Sequence, residues 1–341
     1  MSEKLSIEEF LKLNDTLPLV DVRSPAEYEQ AHIPGAVNIP LFDNEERKQV
    51  GTTYKQKGKE SAVLLGLDYI GPRMSEVVKQ ARKLARNRKI LVHCWRGGMR
   101  SASMAWLFET IGLQTFTLEG GYKAYRHFIR EQFSNKAKIF ILGGSTGSGK
   151  TAILQALQKQ GEQFLDIEGV AHHKGSVFGP LGQEPQPTNE QFENNLAAVW
   201  LKFDFTKPIW IEDESRQLGK CGIPNPLFVQ MREANVIKVV IPKSERVKRL
   251  VKEYGPFEKE LLAEQIEKIR ERLGGRFTNE ALKALDNNDL ATVADLTLIY
   301  YDKAYNFGIL KRNPEKVFEI ELEKDAPKAN ALAINKFIKN L

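Results

Sequence analysis

The sequence predicts two α/β domains in tandem, each a parallel sheet with crossover helices. Three observations lead there. The chain has 341 residues, about two domains in length. Short apolar runs alternate with helix-patterned segments, the order a parallel sheet requires. Residues 138–151, KIFILGGSTGSGKT, spell a strand, a glycine-rich loop and a helix start in succession. The boundary is expected at Asn135-Lys136, giving domains 1–134 and 135–341.

The loop fits the phosphate-binding pattern at each specified position: Gly144, Ser145, Thr146, Gly147, Ser148, Gly149, Lys150 and Thr151. Its glycines let successive N–H groups turn toward one anion. A helix at 152–160 would present its positive end to the same anion. Lys150 would neutralise phosphate oxygens, and Thr151 could ligate Mg²⁺. The spelling assigns a phosphate or diphosphate ligand and leaves the rest of it open.

In the first domain, residues 17–22 (LPLVDV) read as a buried strand. Ser24 and Pro25 start a short helix to Gln30, and Pro34-Gly35 turns into a strand at 36–39. Residues 43–71, with KQKGKE and several glycines, read as an insertion reaching over a site. A basic amphipathic helix follows at 72–87, then a strand at 89–92, a helix at 101–111, a strand at 114–118 and a helix at 122–133.

The strand at 89–92 delivers His93-Cys94 into WRGGMR. A cysteine at a strand's carboxyl end, before a glycine-rich turn and a helix, sits among inward N–H groups. The helix dipole and the neighbouring Arg96 and Arg100 favour thiolate over thiol. A thiolate can take up a chalcogen atom. This loop, with LVDVRSPAEYEQAHIPGAVNIP before it and LEGGYKAYR after it, resembles a rhodanese domain. The resemblance implies that Cys94 carries a transferable sulfur or selenium. The spelling His93-Cys94-x5-Arg100-Ser101 also fits cysteine-dependent phosphatases, so a phosphatase–kinase fusion stays a rival. Here it is read as capacity for a phosphate-bearing chalcogen donor.

In the second domain a strand at 163–167 feeds DIEGVAHHKGSVFG. This polar loop lies at the ligand-facing edge of an α/β sheet, and Asp166, Glu168 and His172 are its candidate pocket residues. His172-His173 lacks a third ligand at a recognisable spacing, so no metal held by protein ligands alone is expected. After a helix at 189–202, a strand at 208–211 precedes Glu212-Asp213-Glu214-Ser215-Arg216. Acids directly after a buried strand resemble the acidic Mg²⁺ partner of a phosphate-binding loop. Glu212 or Asp213 fits that role by position, with Glu214 pairing Arg216. Cys221 has no base nearby and reads as incidental. A strand at 235–241 leads to charged helices at 243–254 and 258–273. Their Arg246, Arg249, Arg272 and Arg276 resemble the phosphate-clamping lid of P-loop kinases. Residues 295–305 and 316–321 read as helix and strand. The fold class is therefore α/β: a rhodanese-like parallel-sheet domain, then a P-loop NTPase- or kinase-like α/β domain with a helical lid.

The net charge of +6 is concentrated in Lys79, Arg82, Lys83, Arg86, Arg88, Lys89, Arg96 and Arg100, with no acid among them after Glu76. That suits a nucleic-acid partner without requiring one. No apolar run nears the roughly 18–20 residues that span a bilayer. MSEKLSIEEF lacks a signal-peptide pattern. Cys94 and Cys221 are the only cysteines, which argues against a disulfide framework. A cytoplasmic protein with no membrane partner is expected.

The combination resembles the tRNA 2-selenouridine synthase family nearly end to end. The most specific matches are HCWRGGMRS, GGSTGSGKT, DIEGVAHHKGSVFG and IEDESRQLGKCGIP. The resemblance implies replacement of sulfur by selenium in wobble 2-thiouridine of tRNA, through an S-geranyl intermediate. Geranyl diphosphate and selenophosphate would be substrates, with a selenophosphate supplier as a partner. No tightly bound cofactor is expected, and the sequence admits Mg²⁺ without demanding it. In this reading Cys94, Arg96 and Arg100 serve the selenium step, and residues 144–151 hold the diphosphate. The alternatives are an ATP-dependent rhodanese-type sulfurtransferase acting on a small molecule, and a non-catalytic tRNA-binding protein.

Overall fold

The structure is a computed structural model and describes residues 2–339. The chain divides into two compact units, Met1–Gln132 with Glu190–Ala198, and Phe133–Asn189 with Val199–Leu341. The boundary read from sequence falls two residues later and lacks the excursion at 190–198. Side chains explain the excursion. The buried Asn194 donates to the His32 carbonyl and to the Tyr122 hydroxyl, both at 2.8 Å, and Tyr122 donates to Glu190 at 2.7 Å.

In the first unit, β1 (Glu3–Leu5), β2 (Leu19–Asp21), β3 (Ala36–Asn38), β4 (Lys89–His93) and β5 (Gln114–Leu118) form one sheet. Its order is β1-β5-β4-β2-β3, and every pairing is parallel. After Lys89, each residue of β4 is buried, as a central strand covered on both faces must be. The edge strand β1 and the helix Ile7–Asn14 go beyond the sequence reading. Their legible sign is a capping box, in which Ser6 N donates to Glu9 at 3.1 Å and Glu9 N to Ser6 Oγ at 3.3 Å.

Residues 43–71 are not an irregular insertion. Asp43 and Glu46 cap each other's backbone and start a helix, Asn44–Ile70, broken only at Gly58 with φ 89°. Ala62, Gly66 and Ile70 bury one stripe of it, and the polar remainder that looked loop-like is its solvent face. The next helix, Met74–Leu84, starts after a tight turn at Gly71–Arg73 rather than at Pro72.

The second unit holds β6 (Lys138–Gly143), β7 (Gln163–Leu165), β8 (Pro208–Glu212), β9 (Gln217–Leu218), β10 (Cys221–Gly222), β11 (Asn235–Val240) and β12 (Val317–Glu321). The main sheet is β12-β11-β6-β8-β7, again all parallel, and β9 and β10 pair separately. Leu142, Ile153, Leu157, Trp210 and Ile237 bury the face under the helix Lys150–Lys159. β7 stops at Leu165 rather than 167, because the Asp166 carboxylate accepts from Gly169 N at 2.8 Å and starts the helix Ile167–Ala171. The helix expected at 258–273 is two, Lys259–Lys268 and Arg270–Leu273. The one expected at 295–305 runs Leu290–Ile309, with Asp289 as its cap.

Two candidate anion sites at the ends of the central strands

Both sheets put a glycine-rich loop at the carboxyl end of their middle strand, where open α/β sheets bind ligands. After β4, Cys94 is buried and its Sγ donates to Ser101 Oγ at 3.2 Å. Ser101 Oγ in turn donates to Gly98 O at 3.1 Å. The loop then enters the helix Met99–Glu109. A second helix, Gly121–Gln132, ties the loop down, with Tyr122 N donating to Cys94 O at 2.8 Å and Lys123 N to Trp95 O at 3.0 Å. Gly121 sits at φ 59°, and a Cβ there would lie 2.4 Å from Cys94 O. Only glycine lets that helix start so close to the cysteine.

The two arginines are held differently, Arg100 in an ion pair and Arg96 exposed. Arg100 donates to Glu27 at 2.6 Å and 3.3 Å. Burial pushes the Glu27 carboxyl up, but the Arg100 hydrogen bond and charge outweigh it and hold the group below its usual range. Arg100 is therefore a paired, positioning charge. Arg96 is exposed. The basic run is split by β4, with Arg96 and Arg100 in the cysteine loop and the rest before the strand. Arg86, Arg88 and Lys89 lie at the start of β4, and Cys94 follows its other end, about 16 Å away at ~3.3 Å per residue.

Beneath Cys94 is a buried charged group that sequence reasoning passed over. Arg23 makes hydrogen bonds of 2.6–3.0 Å to Asp21 and lies 3.9 Å over the Tyr122 ring. His93 Nε2 stands 3.6 Å from Asp21 Oδ2. Burial lowers the His93 imidazole against the pull of the Asp21 charge, so it stays neutral at neutral pH. The sequence signal was there: three ionisable residues inside apolar strand ends.

After β6, the loop 144–151 curls as its spelling predicts. Lys150 Nζ donates to Gly144 O at 3.2 Å, and the helix Lys150–Lys159 follows directly. The surrounding acids rearrange the expectation. Glu212 is buried and takes a hydrogen bond from Thr151. Asp213 pairs with Arg312 and lies 3.9 Å from Arg232. Glu214 does not pair Arg216, which is exposed. Instead Glu214, Glu212 and Glu168 each bring a carboxylate oxygen within 4.8 Å of the other two. Burial, then the Glu214 charge, raises Glu168 to about 9. Burial, then Glu168, raises Glu212 to about 8, and burial, then Glu212, raises Glu214 to about 7. Lys150 opposes all three shifts.

Asp166 is spent on its helix cap. His172, at φ 51°, ends that helix, and its Nδ1 lies 3.0 Å from Pro185 O. It joins no cluster of metal-ligating side chains among the described residues.

The arginine clamp also changes. Arg246 and Arg249 reach the loop, Arg246 donating to Thr146 O at 3.2 Å, but they are paired with Asp302 and Asp325. Arg272 donates to the Tyr300 hydroxyl and Arg276 to Glu280, at the surface. What the lid helices Lys243–Tyr254 and Leu290–Ile309 wall instead is an apolar pocket, lined by Phe178, Leu250, Leu262, Leu290 and Val293 and meeting the loop at Thr146.

Comparison with known proteins agrees with this geometry. The family model for the tRNA 2-selenouridine synthase AAA domain matches residues 137–327, and that for the rhodanese-like domain matches residues 6–128. A tRNA 2-selenouridine synthase of Shewanella frigidimarina (strain NCIMB 400) is 34% identical, the match covering 94% of this chain and 96% of the relative. That of Shewanella pealeana (strain ATCC 700345 / ANG-SQ1) is 36% identical, covering 89% and 91%. One from Nitrosomonas europaea (strain ATCC 19718 / CIP 103999 / KCTC 2705 / NBRC 14298) is 39% identical over 70% of this chain and 63% of its own. A loop that buries a thiol, a second with the phosphate-binding spelling at the start of a helix, and relatives matched nearly end to end lead to one assignment: the chain belongs to the tRNA 2-selenouridine synthase family.

Proposed function

We propose that the chain replaces sulfur by selenium in the 2-thiouridine of tRNA through an S-geranyl intermediate, with geranyl diphosphate and selenophosphate as donors. The thiouridine sulfur attacks the first carbon of the geranyl chain and the carbon–oxygen bond breaks. Diphosphate leaves onto Lys150 and the amides of residues 144–149. Alkylation makes the sulfur a good leaving group. The selenium of selenophosphate bonds to the ring carbon that bears it and expels geranyl thiol. Water then splits the selenium–phosphorus bond and phosphate leaves, and Cys94 is assigned to this selenium step. A selenophosphate-supplying enzyme as partner and a cytoplasmic setting belong to the same proposal. No helix among the described residues is long and apolar enough to cross a membrane.

The observation that carries this reading is the apolar pocket meeting the phosphate loop at Thr146. A nucleotide would bring a polar sugar and base there. A ten-carbon prenyl chain brings hydrocarbon, whose burial is favourable by about 25 cal/mol per Å². For the base itself, Trp95 and Met99 are exposed on the cysteine loop and offer the stacking surface that single-stranded RNA recognition uses.

Calorimetric titration tests the pocket. Geranyl diphosphate should bind more tightly than ATP. Val293→Trp, which fills the pocket, should weaken geranyl diphosphate at least tenfold and leave inorganic diphosphate unchanged. Preference for ATP, or geranyl diphosphate binding that ignores Val293→Trp, would overturn the reading.

A further inference from the structure

We propose that Phe178, Tyr254 and Tyr301 stabilise positive charge on the prenyl group as it parts from diphosphate, so that bond breaking runs ahead of sulfur attack. The inference rests on the geranyl reading above and says how that step is catalysed. The pocket meeting the phosphate loop at Thr146 has a lining of two kinds. Leu250, Leu262 and Val293 would suffice to bury hydrocarbon. The three rings form a group of their own. The Phe178 centroid lies 5.5 Å from that of Tyr254 and 6.4 Å from that of Tyr301, each pair tilted by 58°. They come from separate stretches of chain: the loop after the helix Ile167–Ala171, the end of the helix Lys243–Tyr254, and the helix Leu290–Ile309. Arg246 joins this wall to the loop, donating to Thr146 O at 3.2 Å and to Asp302, the chain neighbour of Tyr301, at 2.7 Å.

An aromatic face is the negative side of a quadrupole and attracts a cation, most strongly where water is excluded. Among the described residues, no side chain of the lining carries a charge, so the rings are its main means of answering one. The Thr297 hydroxyl is engaged with Val293 O at 2.9 Å and Ala294 O at 3.1 Å. Burial keeps the Tyr254 and Tyr301 phenols above their usual range, so both rings are neutral. One cation already approaches the set: the Lys174 ammonium, paired with Glu253 at 2.5 Å, stands 5.8 Å from the Tyr254 centroid. In the proposed step, the bond from C1 of the prenyl chain to the diphosphate oxygen breaks. Its electron pair leaves with diphosphate onto the loop. Positive charge spreads over the allylic carbons C1 and C3 beside the rings. A lone pair of the thiouridine sulfur then forms the bond to C1, and the N3 proton of the base passes to water.

The test uses the full chain with thiolated tRNA. Single-turnover geranylation reads the chemical step, and calorimetry reads geranyl diphosphate binding. Phe178→Leu, Tyr254→Leu and Tyr301→Leu each remove a ring. At least one should slow the step by about tenfold, ~1.4 kcal/mol in the barrier, with little change in Kd. Tyr254→Phe and Tyr301→Phe keep the ring and should keep the rate. Phenylalanine carrying one, two or three ring fluorines is then installed at the most sensitive position. Fluorine drains the ring face and barely alters its shape, so the logarithm of the rate should fall in steps with fluorine number. A rate that no leucine variant changes, or that ignores the fluorine series, would overturn the proposal while leaving geranyl diphosphate binding and the prenyl reading intact. A wild-type chain that fails to bind geranyl diphosphate would sink both.

Discussion

The loops after β4 and β6 share one plan and fill it differently. Each follows the central strand of a five-stranded parallel sheet and opens a helix. In the first, the protein's own Cys94 sulfur occupies the strand end, and the nearby charge of Arg100 is neutralised by Glu27. In the second, Lys150 and three carboxylates face a loop shaped for a ligand that comes from outside. The difference teaches what each loop is for. In the proposed roles, one stores a nucleophile and needs hydrogen bonds to control it; the other stores charge and needs a partner to balance it.

The sharpest way to break the comparison on the cysteine side is Ser101. If its hydroxyl turns from Gly98 O to donate to the thiolate that reacts, Ser101→Ala should slow alkylation of Cys94 by iodoacetamide and lower selenation by about tenfold, the worth of one hydrogen bond to a charged group. Ser101→Thr should restore both, and geranylation should not move. An equal fall in geranylation would mean that the variant disturbs the whole chain.

A smaller effect sharpens what lies under the cysteine. The groups facing His93 are Asp21, Arg23 and His32. Unfolded, His93 takes a proton below its usual 6.5; folded, burial holds it lower. At this residue the unfolded state therefore binds more protons, so the His93 contribution to stability falls as pH drops from 7 toward 5.5. It runs against the opposite contribution of Glu168, Glu212 and Glu214, whose raised groups hold protons in the folded state. The limit is about 1.4 kcal/mol per pH unit for one proton, a few degrees of melting temperature for the first unit. Asp21, held below its usual range, adds its loss only at lower pH. His93→Gln should remove this contribution and tilt the slope between pH 7 and 5.5 toward greater stability at the acid end in thermal scans, and an unchanged slope would place the titration elsewhere.

Much of the fold was legible because parallel strands announce themselves as short apolar runs, and both glycine-rich loops sit on such runs. What escaped was set by contacts between distant residues. Glu214 reads locally as a partner for Arg216, yet it meets Glu168, 46 positions earlier, because the carboxyl ends of β7 and β8 converge. Asp213 and Glu212 are neighbours in sequence, and the alternation of a strand sends them to opposite partners, Arg312 and Thr151. The basic residues before β4 and the arginines after it are close in sequence but lie at opposite ends of a strand. The helix Asn44–Ile70 was hidden by a polar, glycine-bearing face. The apolar pocket has no sequence motif, since its residues come from several helices and a loop.

The division of labour between the two loops is tested most directly by mass spectrometry of tRNA nucleosides after incubation with geranyl diphosphate, selenophosphate, or both. Cys94→Ala should still form S-geranyl-2-thiouridine and make no 2-selenouridine. Lys150→Ala should lose geranylation by about 10²–10³-fold, the effect of removing one stabilising donor from a departing anion. If Cys94→Ala abolished geranylation as completely as selenation, the two loops would not be doing separate jobs.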